Sequence, residues 1–415
     1  MISLRTFLLL SRRIFVRALF TTFLQTFKFN GVRNFKLSTA ASYRIAFSLI
    51  IGFQAILLAY APLYFTSLGY TPFEVSLISG MENIAGILGP ALLVTRVYPA
   101  GLGVTILSGV SGLLMIFISP VFGALFLIIA WALSLFFNRG VFVLINEEAQ
   151  AKERDGHINY SEARSWGSAS FLIVMYAVGV IVGKYGLPWA MKIGVVILLL
   201  LSLIGLNIRE QIKEEHRKSV LQFLRESFNL WHLIFYLSLT LVWASHGPAY
   251  TYMSIHLLNL GWTPGEMALS WNIAVITEII IFLIFKRIQQ YASLEFLLTV
   301  AQIACIIRWT IIATTSNSAL ITLSQILHGL TFGLCFVVSQ KLLINNVEAE
   351  YRKPAFAIFF ATTMGFGSLL GKLIAGWSTR SAEFTGDFHH TFLLGTYLAL
   401  LSLIVWYSRR FIKRT

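Results

Sequence analysis

Apolar stretches of about 20 residues, each closed by a short polar or glycine-containing break, recur from position 44 to position 408. A helix of about 20 residues rises about 30 Å, the thickness of a bilayer's hydrocarbon core, so each stretch predicts a membrane-spanning helix. The pattern gives twelve spans, at about 44–66, 73–95, 101–119, 122–145, 161–183, 188–208, 231–256, 265–286, 294–313, 318–341, 355–378 and 391–408. Between the sixth and the seventh lies the longest polar stretch after the first span begins, REQIKEEHRKSVLQFLRESFNL at 209–230. It reads as a linker between two six-helix halves, 44–208 and 231–408, with a short tail at 409–415. An even number of spans places both termini on one side of the membrane.

The two halves share a signature. Leu68-Gly69-Tyr70-Thr71-Pro72-Phe73-Glu74 and Leu260-Gly261-Trp262-Thr263-Pro264-Gly265-Glu266 match nearly letter for letter at an offset of 192 residues. In each copy Gly ends one helix, Thr caps the next, Pro sits in its first turn and Glu meets the positive end of its dipole. The chain thus reads as two copies of one helical unit, with the second span of the first half equivalent to the eighth overall.

Composition agrees with the pattern: 57% hydrophobic residues, 12% charged and a mean hydropathy of +0.76 describe an integral membrane protein, since soluble domains carry about 25% charged residues. The formal charge of +14 does not point to nucleic acid, because the basic residues follow topology. With the N-terminus inside, 25 of the 32 Lys and Arg fall in segments on that side and only Lys184 and Arg380 in loops on the other. This bias predicts cytosolic termini. Residues 1–43 carry seven basic residues and no acid, with scattered Phe and Leu. They read as a cationic segment on the cytosolic membrane surface, in competition with a transit-type presequence or an early start codon, and they are expected to be dispensable for the activity. Cys305 and Cys335 fall on different spans and read as free buried thiols.

Charge inside a span costs at least about 2.5 kcal/mol per group and requires a partner or a wet cavity. Glu278 lies twelve residues beyond Glu266, about 18 Å along its helix and deep in the membrane. Through the 192-residue offset, Glu82 corresponds to Ala274, one turn from Glu278 on the same face. Arg308 cannot shed its charge, so Glu278 on the preceding helix or an anionic substrate must compensate it. His328 titrates near neutrality and lies two spans after Glu278. Each of these also has a structural reading, as a tether or an ion pair between helices. Arg139 reads as structural, snorkelling or meeting Glu147 and Glu148, and so do Lys192 and Lys372. Gly365, Gly367, Gly371 and Gly376 make a small face for close helix packing. Tyr60, Tyr64, Trp243, Tyr250, Tyr252, Trp271 and Trp309 lie on helices expected to line a central cavity, and Glu148 and Arg164, on the fourth and fifth spans, are gate candidates. No Walker motif, HExxH or nucleophile elbow is present.

Several of these residues also form longer motifs. Tyr160, Arg164, Trp166, Gly167, Ser168 and Phe171 resemble a Y-G-x-x-R-x-W-G-S-x-G-F pattern. Ser245-His246-Gly247-Pro248 with Tyr250-Thr251 resembles S-H-G-P-x-Y-T, and Trp271 with Glu278 resembles W-x-x-x-V-x-x-E. Arg308-Trp309 and Leu327-His328-Gly329-Leu330-Thr331-Phe332-Gly333 are similar to R-W and L-H-x-L-T-F-G. Together, over about residues 44–408, they resemble the phenylpropionate permease family in the lactose-permease-like branch of the major facilitator superfamily. Ser161 and Ser170 stand where that pattern has glycines, and the basic loop between the second and third spans is reduced to TRVYPAG. The resemblance implies an all-helical fold of two six-helix halves around a midplane cavity. It also implies proton-coupled uptake, with Glu278, Arg308 and His328, and Glu82 beside them, in the relay and His246 at the cavity.

The expected activity is therefore secondary active transport across a bacterial inner membrane: a monomeric proton symporter for a small organic solute, an aromatic carboxylate being the candidate. A sugar, nucleoside or drug permease of the same fold is the nearest alternative, and a ligand sensor that moves nothing is the alternative of another class. No cofactor, metal or enzymatic activity is expected.

Overall fold

A computed structural model describes residues 37–93, 99–208, 219–380 and 386–411. Twelve spans follow one another. They are α1 (Thr39–Ala59 continued by Ala61–Ser67), α2 (Pro72–Leu93), α3 (Ala100–Ile116), α4 (Ala124–Arg154), α5 (Tyr160–Tyr185) and α6 (Pro188–Gly205). In the second half stand α7 (Leu230–Ser245 with Gly247–Asn259), α8 (Pro264–Ile288), α9 (Leu294–Thr314), α10 (Ser318–Asn346), α11 (Arg352–Phe360 through Ser368–Ser378) and α12 (His389–Ser408). Nine helices among the described residues are long and apolar enough to cross a membrane. The other three spans are α2, the 17-residue α3 and the interrupted α7.

Boundaries differ from the sequence reading where local chemistry extends a helix. α1 begins at Thr39, with Ser38 accepting the amide of Ala41 as its cap, so Thr39–Tyr43 belong to the first span and not to the basic segment before it. α4 runs on to Arg154 because EEAQAKER is made of strong helix formers. It stops only where Gly156 takes a positive φ of 75°. Within the linker, Val220–Glu226 is a helix closed by a Ser219–Gln222 capping box. Residues 1–36, 209–218 and the loop at 94–98 lie outside the described residues, as do 381–385 and 412–415.

The duplication is visible at atomic detail. Thr71 donates its amide and hydroxyl to Glu74 Oε2 at 2.8 Å each, and Thr263 does the same to Glu266 Oε2 at 2.8 Å. The glycines before them take matching left-handed turns, φ 87° at Gly69 and 85° at Gly261, which an L side chain enters only at a cost. A second repeat lies upstream. α1 breaks at Tyr60 and α7 at His246, each two residues before a proline, Pro62 or Pro248, whose missing N–H interrupts the helical ladder. Tyr60-Ala61-Pro62-Leu63-Tyr64 thereby matches His246-Gly247-Pro248-Ala249-Tyr250 at an offset of 186. The segment after the break is seven residues in α1 and 13 in α7, and this six-residue difference carries the offset from 186 to 192.

The halves meet along α2 against α11 and α5 against α8. The small face of α11 makes the first seam possible by looking two ways. A Cβ at Gly371 would strike the Ala244 carbonyl of α7, and one at Gly376 would strike the Ser76 hydroxyl of α2. In the second seam Gly179 of α5 lies against Pro264 and Ala268 of α8, where a Cβ would sit 2.9 Å from the Pro264 oxygen. Hydrogen bonds cross at Tyr252 to the Pro72 carbonyl (2.6 Å), Asn83 to Met364 (2.8 Å) and Asn272 to Leu172 (3.1 Å).

The repeat turn gives a paired test. Gly261→Ala forces a side chain into the left-handed region and should lower stability by about 1 kcal/mol. Gly265→Ala, four residues on in an open first turn with only the Thr263 hydroxyl 4.0 Å away, should hold or raise stability by up to about 1 kcal/mol. Thermal unfolding of the two purified variants in detergent, followed by tryptophan fluorescence, measures both.

Candidate functional site

α9 buries Ala301, Ala304, Cys305, Arg308 and Ile312 along one face, and this carries a guanidinium into the second half, where Arg308 is only 2% exposed. Its partners come from α10. Arg308 Nη2 donates to Gln325 Oε1 at 2.8 Å, and Nη1 reaches His328 Nδ1 at 2.9 Å and Thr331 Oγ1 at 3.1 Å. These three residues stand three apart. The helix tightens into a 3₁₀ turn at Gln325–Leu327 and loosens into a π segment at Gly329–Leu334. With three residues per 3₁₀ turn, Gln325 and His328 eclipse and face the same cation. All three partners are neutral or titratable without being anionic, and Arg308 Nε is buried without a partner.

Glu278 comes next to His328, not to Arg308. Its Oε2 lies 3.7 Å from His328 Nε2, so the direct Glu278–Arg308 pair expected from the sequence is replaced by a line of three groups with the imidazole in the middle. Packing explains the order. Gly329 and Gly333 let α10 press on α8, a Cβ at Gly329 meeting the Thr277 carbonyl at 2.6 Å and one at Gly333 meeting Glu278 Cγ at 3.3 Å, while the Gly329 amide donates to Thr277 Oγ1 at 3.2 Å. The line also fixes a tautomer. A guanidinium only donates, so His328 Nδ1 must accept and the neutral ring carries its proton on Nε2, facing Glu278. At 3.7 Å the two are beyond hydrogen-bond contact, and a small slide of α8 on α10 closes the gap.

An aromatic wall adjoins the line. The His328 ring stacks on Phe332 at 5.3 Å, Phe332 meets Trp243 edge-on at 5.1 Å, and His246 lies against Trp309 at 5.1 Å and Tyr250 at 5.7 Å. His246 Nδ1 donates to the Val242 carbonyl at 2.9 Å, freed by the break before Pro248, and this leaves Nε2 as a buried lone pair without a partner. Trp309 Nε1 donates to Ser245 Oγ at 3.2 Å. The other aromatic candidates are used as pins: Tyr60 donates to the Met175 carbonyl (2.5 Å), Tyr64 to Ile118 (2.8 Å) and Trp271 to Ser254 Oγ (3.1 Å), and all three are buried.

Glu82 belongs to a different centre. Its carboxylate binds Arg139 of α4 and, at 3.5 Å, Lys372 of α11. Arg139 therefore meets Glu82, not the Glu147 and Glu148 expected from the sequence. The reason is the approach of α2 to α4 at Gly86 and Gly89, where Arg139 methylenes lie 4.0 Å and 3.3 Å from the would-be Cβ atoms. Lys372 also donates to the Ser79 carbonyl at 3.0 Å, so this lysine ties the second half to the first. Arg164 sits over the Phe47 ring at 6.0 Å and within electrostatic range of Glu278 across the bundle. Glu148 faces Tyr43 electrostatically within its own half. Sequence reading missed Gln325, Thr331 and Asn83, although the 325-328-331 spacing is a signal for the first two. Among the described residues no group of three or more His, Cys, Asp or Glu is placed to hold a metal ion.

Twelve helices in two related halves, with charged groups buried in each half and across the seam between them, define a membrane transporter of the major facilitator type. The chain belongs to the MFS_1 like family, whose model matches residues 40–388. It is 23% identical over 334 residues to the probable 3-phenylpropionic acid transporter of Escherichia coli (strain K12), an alignment covering 78% of this chain and 86% of that relative. In fold it is similar to the nucleoside transporter NupG, with a TM-score of 0.79, 16% identity and coverage of 91% of this chain and 100% of that one. The POT family transporter PepTSo is similar at a TM-score of 0.68 and 10% identity, with coverage of 90% and 96%. At these identities the two solved structures attest the fold.

Arg308→Lys tests the three-way contact. One ammonium keeps the charge but cannot serve Gln325, His328 and Thr331 in the guanidinium's fixed fork, and each lost bond to a charged group is worth about 1.5–3 kcal/mol. Uptake by cells expressing the variant at parental levels should fall about tenfold or more.

Proposed function

We propose that this transporter is a proton symporter for a small organic anion, an aromatic carboxylate of the phenylpropionate class, working in a bacterial inner membrane with both termini in the cytosol. The observation that carries the reading is the buried Arg308 guanidinium, whose hydrogen-bond partners among the described residues are Gln325, His328 and Thr331, with no carboxylate among them. A buried cation is stable only with a compensating anion nearby. In the empty site Glu278, one imidazole away, supplies that charge. A cargo carboxylate that binds Arg308 supplies it instead, and Glu278 left ionised would then be a second negative charge in an apolar interior. One proton on Glu278 restores neutrality. The empty and the loaded sites thus both sum to zero, and anion and proton enter as a pair.

His328 gives the proton and the charge a path. Its Nδ1 faces the cation and its Nε2 faces the carboxylate, so changes at Arg308 are felt at Glu278 through one ring. The aromatic wall of Trp243, Phe332, Trp309 and His246 offers the flat apolar surface that an aromatic cargo requires. The name of the 23% identical relative supports the same cargo class, and the excess of Lys and Arg in one set of loops supports the orientation.

Glu278→Gln fixes the neutral form. It should keep binding and exchange of radiolabelled 3-phenylpropionate in proteoliposomes and lose accumulation driven by an imposed proton gradient. Parental accumulation by this variant would overturn the assignment of the coupled proton to Glu278.

A further inference from the structure

The second charge centre is unbalanced in a way the relay does not use. Glu82 is one carboxylate between two cations, Arg139 and Lys372. Lys372 is 3% exposed, and Arg139 Nε is buried without a partner. No second carboxylate bonds to this group among the described residues. The side chains of Glu82 and Arg139 keep 21% and 22% exposure, so the cluster reaches open space within the bundle. Tyr250, whose ring packs on His246, lies within electrostatic range of Arg308, Glu278 and Glu82 together. One phenol in the aromatic wall therefore senses both charge centres.

We infer that Glu82 is a specificity-determining residue: a carboxylate tethered to the protein that occupies a two-cation site facing the cargo space, and so restricts the cargo to a single anionic group. The inference rests on the carboxylate reading of the Arg308 site. Arg139 and Lys372 form a site able to hold a carboxylate, because that is what they already hold. As long as Glu82 fills it, a second carboxylate on the cargo finds one cation fewer than it needs and is buried at the cost of an uncompensated charge. Without Glu82 the same site carries two free positive charges and accepts a carboxylate from the cargo. Because Lys372 comes from the second half and Glu82 from the first, the site is complete only where α2 and α11 are in contact, and the selection acts in that state of the cycle.

The test uses thermal-shift titration and competition for uptake with two probes that share a frame, 3-phenylpropionate and its ring-carboxylated dianion, 3-(4-carboxyphenyl)propionate. The parent should favour the monoanion by about tenfold or more. Glu82→Gln should shift that ratio toward the dianion by about tenfold. Glu82→Gln/Lys372→Gln, which leaves Arg139 alone and restores the parental excess of one positive charge, should return the ratio toward the parental value. A parent that binds both probes equally overturns the inference, and this arm needs no variant to fold. It is equally overturned if the Glu82→Gln and double variants only melt earlier with the ratio unchanged, since Glu82 is then a strut between the halves. A parent indifferent to both probes, with dianion binding gained in Glu82→Gln, removes the carboxylate reading of Arg308 and keeps the Glu82 site. Indifference in every protein removes both.

Discussion

A guanidinium keeps its proton at any cellular pH, so once Arg308 is placed inside the bundle the surroundings must be built to tolerate a permanent charge. Much of the second half can be traced to that constraint. α10 abandons regular helix for a 3₁₀ turn and a π segment, and this brings Gln325, His328 and Thr331 to one cation. Gly329 and Gly333 remove the bulk that would hold α8 away, so Glu278 comes within 3.7 Å of the imidazole. Irregular helix is tolerated in a membrane where it is buried in protein or lines a cavity. Here the irregularity and the charge share the same few residues.

The first half meets the same cost differently. Glu82 and Arg139 neutralise each other within it, and Lys372 arrives from α11 across the seam. That seam is close because α11 shows glycine on two sides, to α7 at Gly371 and to α2 at Gly376. Backbones in such contact slide or part as rigid surfaces, as alternation between two states of the bundle requires. The relay thus lies within one half, where its geometry can persist through the cycle, while the Glu82–Lys372 contact lies between halves and reports their separation.

Much of this was legible in the sequence because the hydrophobic pattern, the caps and the repeat are local. Leu68–Glu74 and Leu260–Glu266 predict the same capped turn, and both copies form it. Buried charge was also legible as a list, since apolar spans leave Glu82, Glu278, Arg308, His328 and Lys372 conspicuous. Their pairing was not. Which carboxylate meets which cation depends on how α8 rests on α10 and α2 on α4, and glycines at 329, 333, 86 and 89 set those distances without any sign of it in hydropathy. The Tyr60 and His246 breaks were hidden for a related reason: six extra residues in α7 shift the repeat from 186 to 192, and a search at one fixed offset finds only one of its two parts.

The central claim is that the vacant charge on Arg308 is met by the cargo. Purified protein titrated with 3-phenylpropionate and with its neutral amide of the same shape, with melting temperature as the readout, tests it most directly, because the two ligands differ in one charge and little else. The account predicts that the acid raises the melting temperature with ligand concentration while the amide leaves it near that of the free protein. Equal stabilisation by both would contradict it, since the aromatic wall alone would then be binding the cargo and Arg308 would be compensated from within the protein.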